Sequence, residues 1–230
     1  MALQKLPAQP FRGRQLAVSE APDRETARRS AADGRSLSQS ATNVGLFTGA
    51  GAAVRPVIQR LPELTGLPVR IDWRPSLRSH RGRLHSGPGP GDEIHAATFP
   101  RQRLIIFGAE LHDDESERAR IFTHEVFHFV WLKLGNTRRN SWGLLLRDEC
   151  KAHARGELGW SAEWRKRRLS ERDIHDRTRL WREYACESFC DTAAWRWSGL
   201  DEHREYTLAR RWRNCRNLWL DRHLQEPFRI

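Results

Sequence analysis

His124, Glu125 and His128 form an H-E-x-x-H pattern. Residues four apart on a helix share a face, so both imidazoles can reach one metal ion while the adjacent glutamate reaches a water held by it. The neighbours Ile121, Phe122, Val126, Phe127, Phe129, Val130, Trp131 and Leu132 are apolar on most sides, which places this helix in the interior. Two histidines and a carboxylate are costly there unless a cation neutralises and ligates them. A hydrolytic zinc takes three protein ligands and keeps one position open. Candidates for the third lie downstream, where Glu183, Glu187 and Asp191 recur every four residues among Ala185, Cys186, Phe189, Cys190, Ala193 and Ala194. In an E-x-x-x-D pair the first carboxylate can bind the ion while the second accepts the far N–H of a ligating histidine and fixes its tautomer. Glu187 with Asp191 fits this; Glu183 with Glu187 is the alternative, one turn earlier. Glu125 is then the general base for hydrolysis of an amide, and Tyr184 or His203 a candidate oxyanion partner.

These side chains need a helix and a sheet to hold it. Asp113, Asp114, Glu115 and Glu117 suit the positive end of a helix running from about residue 115 to 134. Residues 94–99 and 104–107 carry the clearest strand pattern, as a hairpin or an adjacent pair. A short helix is predicted over 54–64, a strand over 69–73, and an exposed Gly-, Pro- and Arg-rich loop over 78–91. Beyond Gly135 the chain turns basic and tryptophan-bearing, with helices predicted over 173–198 and 205–223. In the last of these, Tyr206, Ala209, Trp212, Cys215 and Trp219 recur at core-stripe spacing, which puts the arginines on the wet side. Residues 1–43 read as a disordered basic arm and 44–230 as the folded domain. Arg28 and Arg29 faintly match a twin-arginine export signal, but Ala31, Ala32 and Asp33 stand where apolar residues belong.

Composition narrows the classes. A mean hydropathy of −0.74 excludes an integral membrane protein, and no membrane partner is expected. Cys150, Cys186, Cys190 and Cys215 are too few for a disulfide framework, which points to a reducing, cytoplasmic setting. Cys150 and His153 make a C-x-x-H pair that lacks the second pair a structural zinc site needs. The net charge of +11 is nearly all guanidinium, since only Lys5, Lys133, Lys151 and Lys166 are lysines. Arg165 to Arg168 and Arg210-Arg211, near Trp160, Trp164, Trp212 and Trp219, are the residues that could track a nucleic-acid backbone. The rival class is therefore a basic nucleic-acid-binding protein whose histidines hold a structural metal or none.

Taken together, a strand pair, an acidic helix start, H-E-x-x-H and an E-x-x-small-[D/N] stretch followed by small residues resemble the gluzincins, most of all the ImmA/IrrE-type metallopeptidases. The resemblance covers about residues 94–194. It implies an α+β, zincin-like metalloprotease domain with a small sheet packed on the HExxH helix and a helical C-terminal half. By position, His124 and His128 would be zinc ligands, Glu125 the base, Glu187 (or Glu183) the third ligand, and Asp191 the residue behind a histidine. The implied function is zinc-dependent hydrolysis of peptide bonds in a protein substrate, commonly a regulatory DNA-binding protein. Zincin-type sites receive the peptide as an added strand on a sheet edge, for which 104–107 is the nearest segment in sequence. SprT-like proteases share the H-E-x-x-H pattern with a histidine as third ligand, and His153 would serve in that reading. Their action on DNA-associated proteins would suit the positive charge.

Overall fold

The computed structural model describes residues 2–5, 43–49 and 51–230. It is an α+β fold in which one buried helix lies between a mixed sheet and a second long helix. The sheet has seven strands: β1 (Ala2–Lys5), β2 (Phe47–Thr48), β4 (Val69–Arg74), β5 (Leu77–His80), β6 (Arg83–Ser86), β7 (Asp92–Phe99) and β8 (Leu104–Gly108). Their order is β2-β4-β8-β7-β5-β6, with β1 pairing on β7. β2, β4 and β8 run parallel, and β7 returns antiparallel to β8. A separate parallel pair joins β3 (Leu64–Thr65) to β9 (Phe228–Arg229) near the chain's end. β8 is buried along its whole length, which its unbroken apolar run requires of a strand covered on both faces.

The helices are α1 (Gly51–Arg60), α2 (Glu115–Lys133), α3 (Gly135–Lys151), α4 (Trp160–Lys166), α5 (Glu171–Asp176), α6 (Arg179–Trp197) and α7 (Arg210–His223). Asp114 caps α2 by accepting the Glu117 N–H at 2.9 Å, with Glu115 and Glu117 adding negative charge at the positive end. From Glu117 to Trp131 every residue of α2 is buried. On the sheet side Phe122 stacks on Phe107 of β8 at 5.9 Å; toward α6, Phe127 stacks on Trp197 at 4.8 Å. No helix among the described residues is long and apolar enough to cross a membrane.

Several sequence expectations need correction. The sheet is not small. Segment 78–91 is largely the β5–β6 hairpin, turned by Arg81 and Gly82, both at positive φ as a two-residue type I′ connection requires. The helix expected over 54–64 ends at Arg60, and Leu64 is in a strand. The helix expected over 173–198 is two, broken at Arg177, which takes a left-handed conformation (φ 51°). The last helix starts only at Arg210, so Tyr206 and Ala209 precede it, and Tyr206 packs with Leu158 and Leu208. Strand β8 is no edge, since β4 and β7 flank it. Of the arm expected over 1–43, residues 2–5 form a strand, and 6–42, with Arg28 and Arg29, lie outside the described residues.

The arginines are not all on the wet side. Arg216 is fully buried between Glu149 of α3 and Glu157, at 2.6 and 2.7 Å. Lys166 Nζ stands 3.0 Å from Glu157, and the Tyr184 hydroxyl donates to the same carboxylate at 2.6 Å. Burial works against the charge on Glu157, yet Arg216 and Lys166 outweigh it and hold the carboxyl at about 2. This network ties α3, α4, α6 and α7 together. Arg216→Met would leave two buried carboxylates short of a partner, and is expected to cost about 3 to 5 kcal/mol of folding stability. Urea unfolding checks this; a loss below about 1 kcal/mol would mean the pairs contribute little net stability.

Candidate metal centre

The i, i+4 spacing on α2 brings the two imidazoles together with Nε2 of His124 and Nε2 of His128 3.1 Å apart. Both rings are buried, and each has its other nitrogen engaged. His124 Nδ1 lies 2.7 Å from Asp191 Oδ1. His128 Nδ1 faces two sulfurs of α6, Cys190 Sγ at 3.4 Å and Cys186 Sγ at 3.5 Å. The carboxylate of Asp191 can only accept, so it takes the Nδ1–H of His124 and leaves a lone pair on Nε2. A His128 ring donating Nδ1–H toward the sulfurs is left in the same state. Glu187 then adds an oxygen, Oε2, 3.3 Å from His124 Nε2.

If both Nε2 atoms carry lone pairs they repel one another and the nearby carboxylate unless a cation stands among them, whereas a neutral His128 protonated on Nε2 donates to His124 Nε2. A proton on His124 is a further relief. Burial disfavours that charge, but Asp191 and then Glu187 outweigh it and raise the imidazole to about 10. His124, His128 and Cys190 form a buried group able to hold a metal ion. A single ion binds a ring through one nitrogen. Beside the two rings, a divalent ion is offered Cys190 on the Nδ1 side of His128 and Glu187 on the Nε2 side of His124.

Glu125 is fully buried, its Oε2 accepting from the Thr98 hydroxyl of β7 at 2.5 Å and its Oε1 without a partner. Burial raises the pKa of this carboxyl, with the two histidines and Thr98 pulling against the rise. Glu187 behaves oppositely. Burial again favours the neutral form, but Arg165 and the histidines hold it well below the usual range. Its Oε2 accepts from Ser161 Oγ at 2.8 Å, and its Oε1 lies 3.5 Å from Arg165 Nη2. Asp191 Oδ2 accepts the Ala162 N–H at 3.2 Å. The start of α4 therefore fixes both acids of α6. A cleft of about 600 Å³ opens beside them, lined by His128, Cys186 and Glu187 with Arg165, Arg179 and Arg182.

Other expected residues stand elsewhere. Glu183 is half-buried and pairs with Arg179 at 2.7 Å instead of reaching a histidine. His153 is exposed just past the end of α3, outside the histidine group. The Tyr184 hydroxyl is committed to Glu157, and His203 lies 3.1 Å from Glu117, so neither is free to assist an oxyanion. Trp164 has the guanidinium of Arg168 at 4.3 Å over its ring, Trp212 has Arg211 at 4.9 Å, and Trp219 is buried. Trp164 and Trp212 are half-buried, whereas Trp219 belongs to the core. Thr98, Gly159, Ser161 and Arg165 were not expected at the site; a threonine inside an apolar strand and a glycine just before a helix were the available signals.

Comparisons with protein-family models, with curated proteins and with solved structures find no match to this chain. The site's meaning rests on its own geometry.

Gly159 exposes how closely that geometry is built. A Cβ there would lie 2.2 Å from Asp191 Cγ, so only glycine lets the chain pass the carboxylate. Gly159→Ala is expected to push Asp191 off His124 and weaken the site's affinity for a divalent metal ion by about 10- to 100-fold, the usual cost of losing a ligand's hydrogen-bond partner. Chelator competition measures it; unchanged affinity with intact circular dichroism would show that Asp191 does not orient the ring.

Proposed function

We propose that this chain is a zinc-dependent peptidase of zincin-like architecture, its ion held by Nε2 of His124, Nε2 of His128 and a carboxylate oxygen of Glu187. One observation carries the reading: the two Nε2 atoms lie 3.1 Å apart, with Glu187 Oε2 3.3 Å from Nε2 of His124 and Asp191 on the far nitrogen of that ring. Zinc so placed supplies an acidified water and a Lewis acid for the scissile carbonyl. Glu125 takes the proton of the attacking water and returns it to the leaving amine. Thr98 holds one of its oxygens, which leaves Oε1 to carry that proton. Burial makes the carboxyl more basic than a surface glutamate, the direction that favours accepting a proton. Asp191 and the Cys186 and Cys190 sulfurs keep the rings turned with Nε2 inward. Arg165, in the cleft wall, pairs with Glu187 and keeps that carboxylate charged for the ion.

The substrate is an accessible segment of another protein. The ImmA/IrrE-type resemblance suggests a regulatory DNA-binding protein, met in the cytoplasm. A DNA-associated substrate suits the charge of +11 without requiring His153 as a ligand.

The test is metal analysis and casein cleavage on a set of variants. Glu125→Gln should keep stoichiometric zinc and lose at least about 100-fold in hydrolysis, within the range general bases contribute. Glu187→Ala should lose zinc on dilution, while Glu183→Ala and His153→Ala keep it. Failure of the wild-type protein to hold one zinc after loading would overturn the enzyme reading.

A further inference from the structure

The outer edge of β7 is already taken. β1 pairs with it antiparallel, with Ala2 opposite Thr98, Leu3 opposite Ala97, Lys5 opposite Ile94, and an irregularity between Leu3 and Lys5. Further toward the start of β7, Ser79 and Arg78 of β5 pair with Asp92 and Glu93. The edge from Ile94 to Thr98 is therefore the stretch held by residues 2–5.

The position of that stretch gives it meaning. Thr98 is the residue whose hydroxyl holds Glu125, so β1 lies against the strand that grips the candidate base. β1 also packs on α4, whose Ser161 and Arg165 hold Glu187. The backbone of residues 2–5 thus runs between the two elements that flank the candidate metal centre. A sheet edge binds an extended chain through backbone hydrogen bonds, with little demand on side chains, and it holds one strand at a time.

We propose that residues 2–5 are an internal occupant of the peptide-binding edge of β7, which an extended peptide must displace to reach the metal centre. The consequence for catalysis rests on the peptidase reading; the competition for the edge does not. An occupant on the same chain competes intramolecularly, so a free peptide of similar intrinsic affinity loses to it. The protein would then be held back until a partner or substrate draws the segment off β7.

The test uses the full-length, metal-free protein, wild type and a Leu3→Pro/Gln4→Pro double variant. Successive N–H groups of a strand point to opposite sides, so one of the two prolines removes a donor from the β1–β7 ladder. The probe is a fluorescent synthetic peptide of residues 1–8, titrated by anisotropy, with hydrogen exchange read at residues 94–98. The variant should bind the peptide at least about tenfold more tightly than wild type, a difference of about 1.4 kcal/mol. Its 94–98 amides should exchange faster and be protected again by the peptide. Equal affinities, or exchange at 94–98 unchanged by the prolines, would overturn the proposal. If the prolines prevent folding, Leu3→Gly/Gln4→Gly weakens the strand without removing a donor and is read by the same criteria. Because no metal is present, these results stand apart from any failure of the peptidase reading.

Discussion

Two imidazole nitrogens held 3.1 Å apart in a dry interior, each ring tied by its other nitrogen, form the constraint that organises this structure. The histidines share a face of a helix that is buried all round, and His128 lines the cleft beside them. A proton or an ion there is favoured by the negative charge of Asp191 and Glu187 beside His124. Asp191 fixes one ring, the Cys186 and Cys190 sulfurs back the other, and Glu187 faces the gap. The turn into α4 then fixes the acids, through Ala162 N–H and Ser161 Oγ, so the donor geometry rests on protein contacts alone.

Helix α6 shows how one periodicity serves three roles. Glu183, Glu187 and Asp191 share a face, and their exposure falls along it from half-buried to 4 % to none. At the cleft mouth Glu183 pairs with arginine; one turn in, Glu187 faces the ring nitrogens; at the bottom Asp191 sets a tautomer. Another face of α6 meets a second polar centre, where Tyr184 reaches Glu157 and Thr192 lies 3.3 Å from Arg216. Burying so much charge is tolerable because each group has a partner. One oxygen of Glu125 is without one, and it sits where the candidate chemistry needs a proton acceptor.

The sequence carries the parts of this that depend on helical repeat. H-E-x-x-H and the Glu183–Glu187–Asp191 row each lie within one helix, so spacing alone groups them, and a preference for Glu187 over Glu183 followed from its partner one turn on. The apolar runs of β7 and β8 were equally legible. Sheet order was not, because whether β8 or β7 faces outward depends on which distant segment pairs with each. Gly159, Ser161 and Arg165 meet the site only through tertiary packing. Arg216 looked like a surface residue because nothing near it in sequence announces Glu149 and Glu157, its partners 67 and 59 positions away. Arg177 broke a helix that periodicity carried straight through.

The central claim is that an ion bound here sees two ring nitrogens and the Glu187 carboxylate, with the cysteines turned to His128 Nδ1 and off the metal. X-ray absorption spectroscopy of the zinc-loaded wild-type protein tests it directly. The expected first shell contains only nitrogen and oxygen at about 2.0 to 2.2 Å, with the multiple-scattering signature of two imidazoles. A sulfur scatterer at about 2.3 Å would place Cys190 on the ion and contradict the assignment of Glu187 as the third ligand.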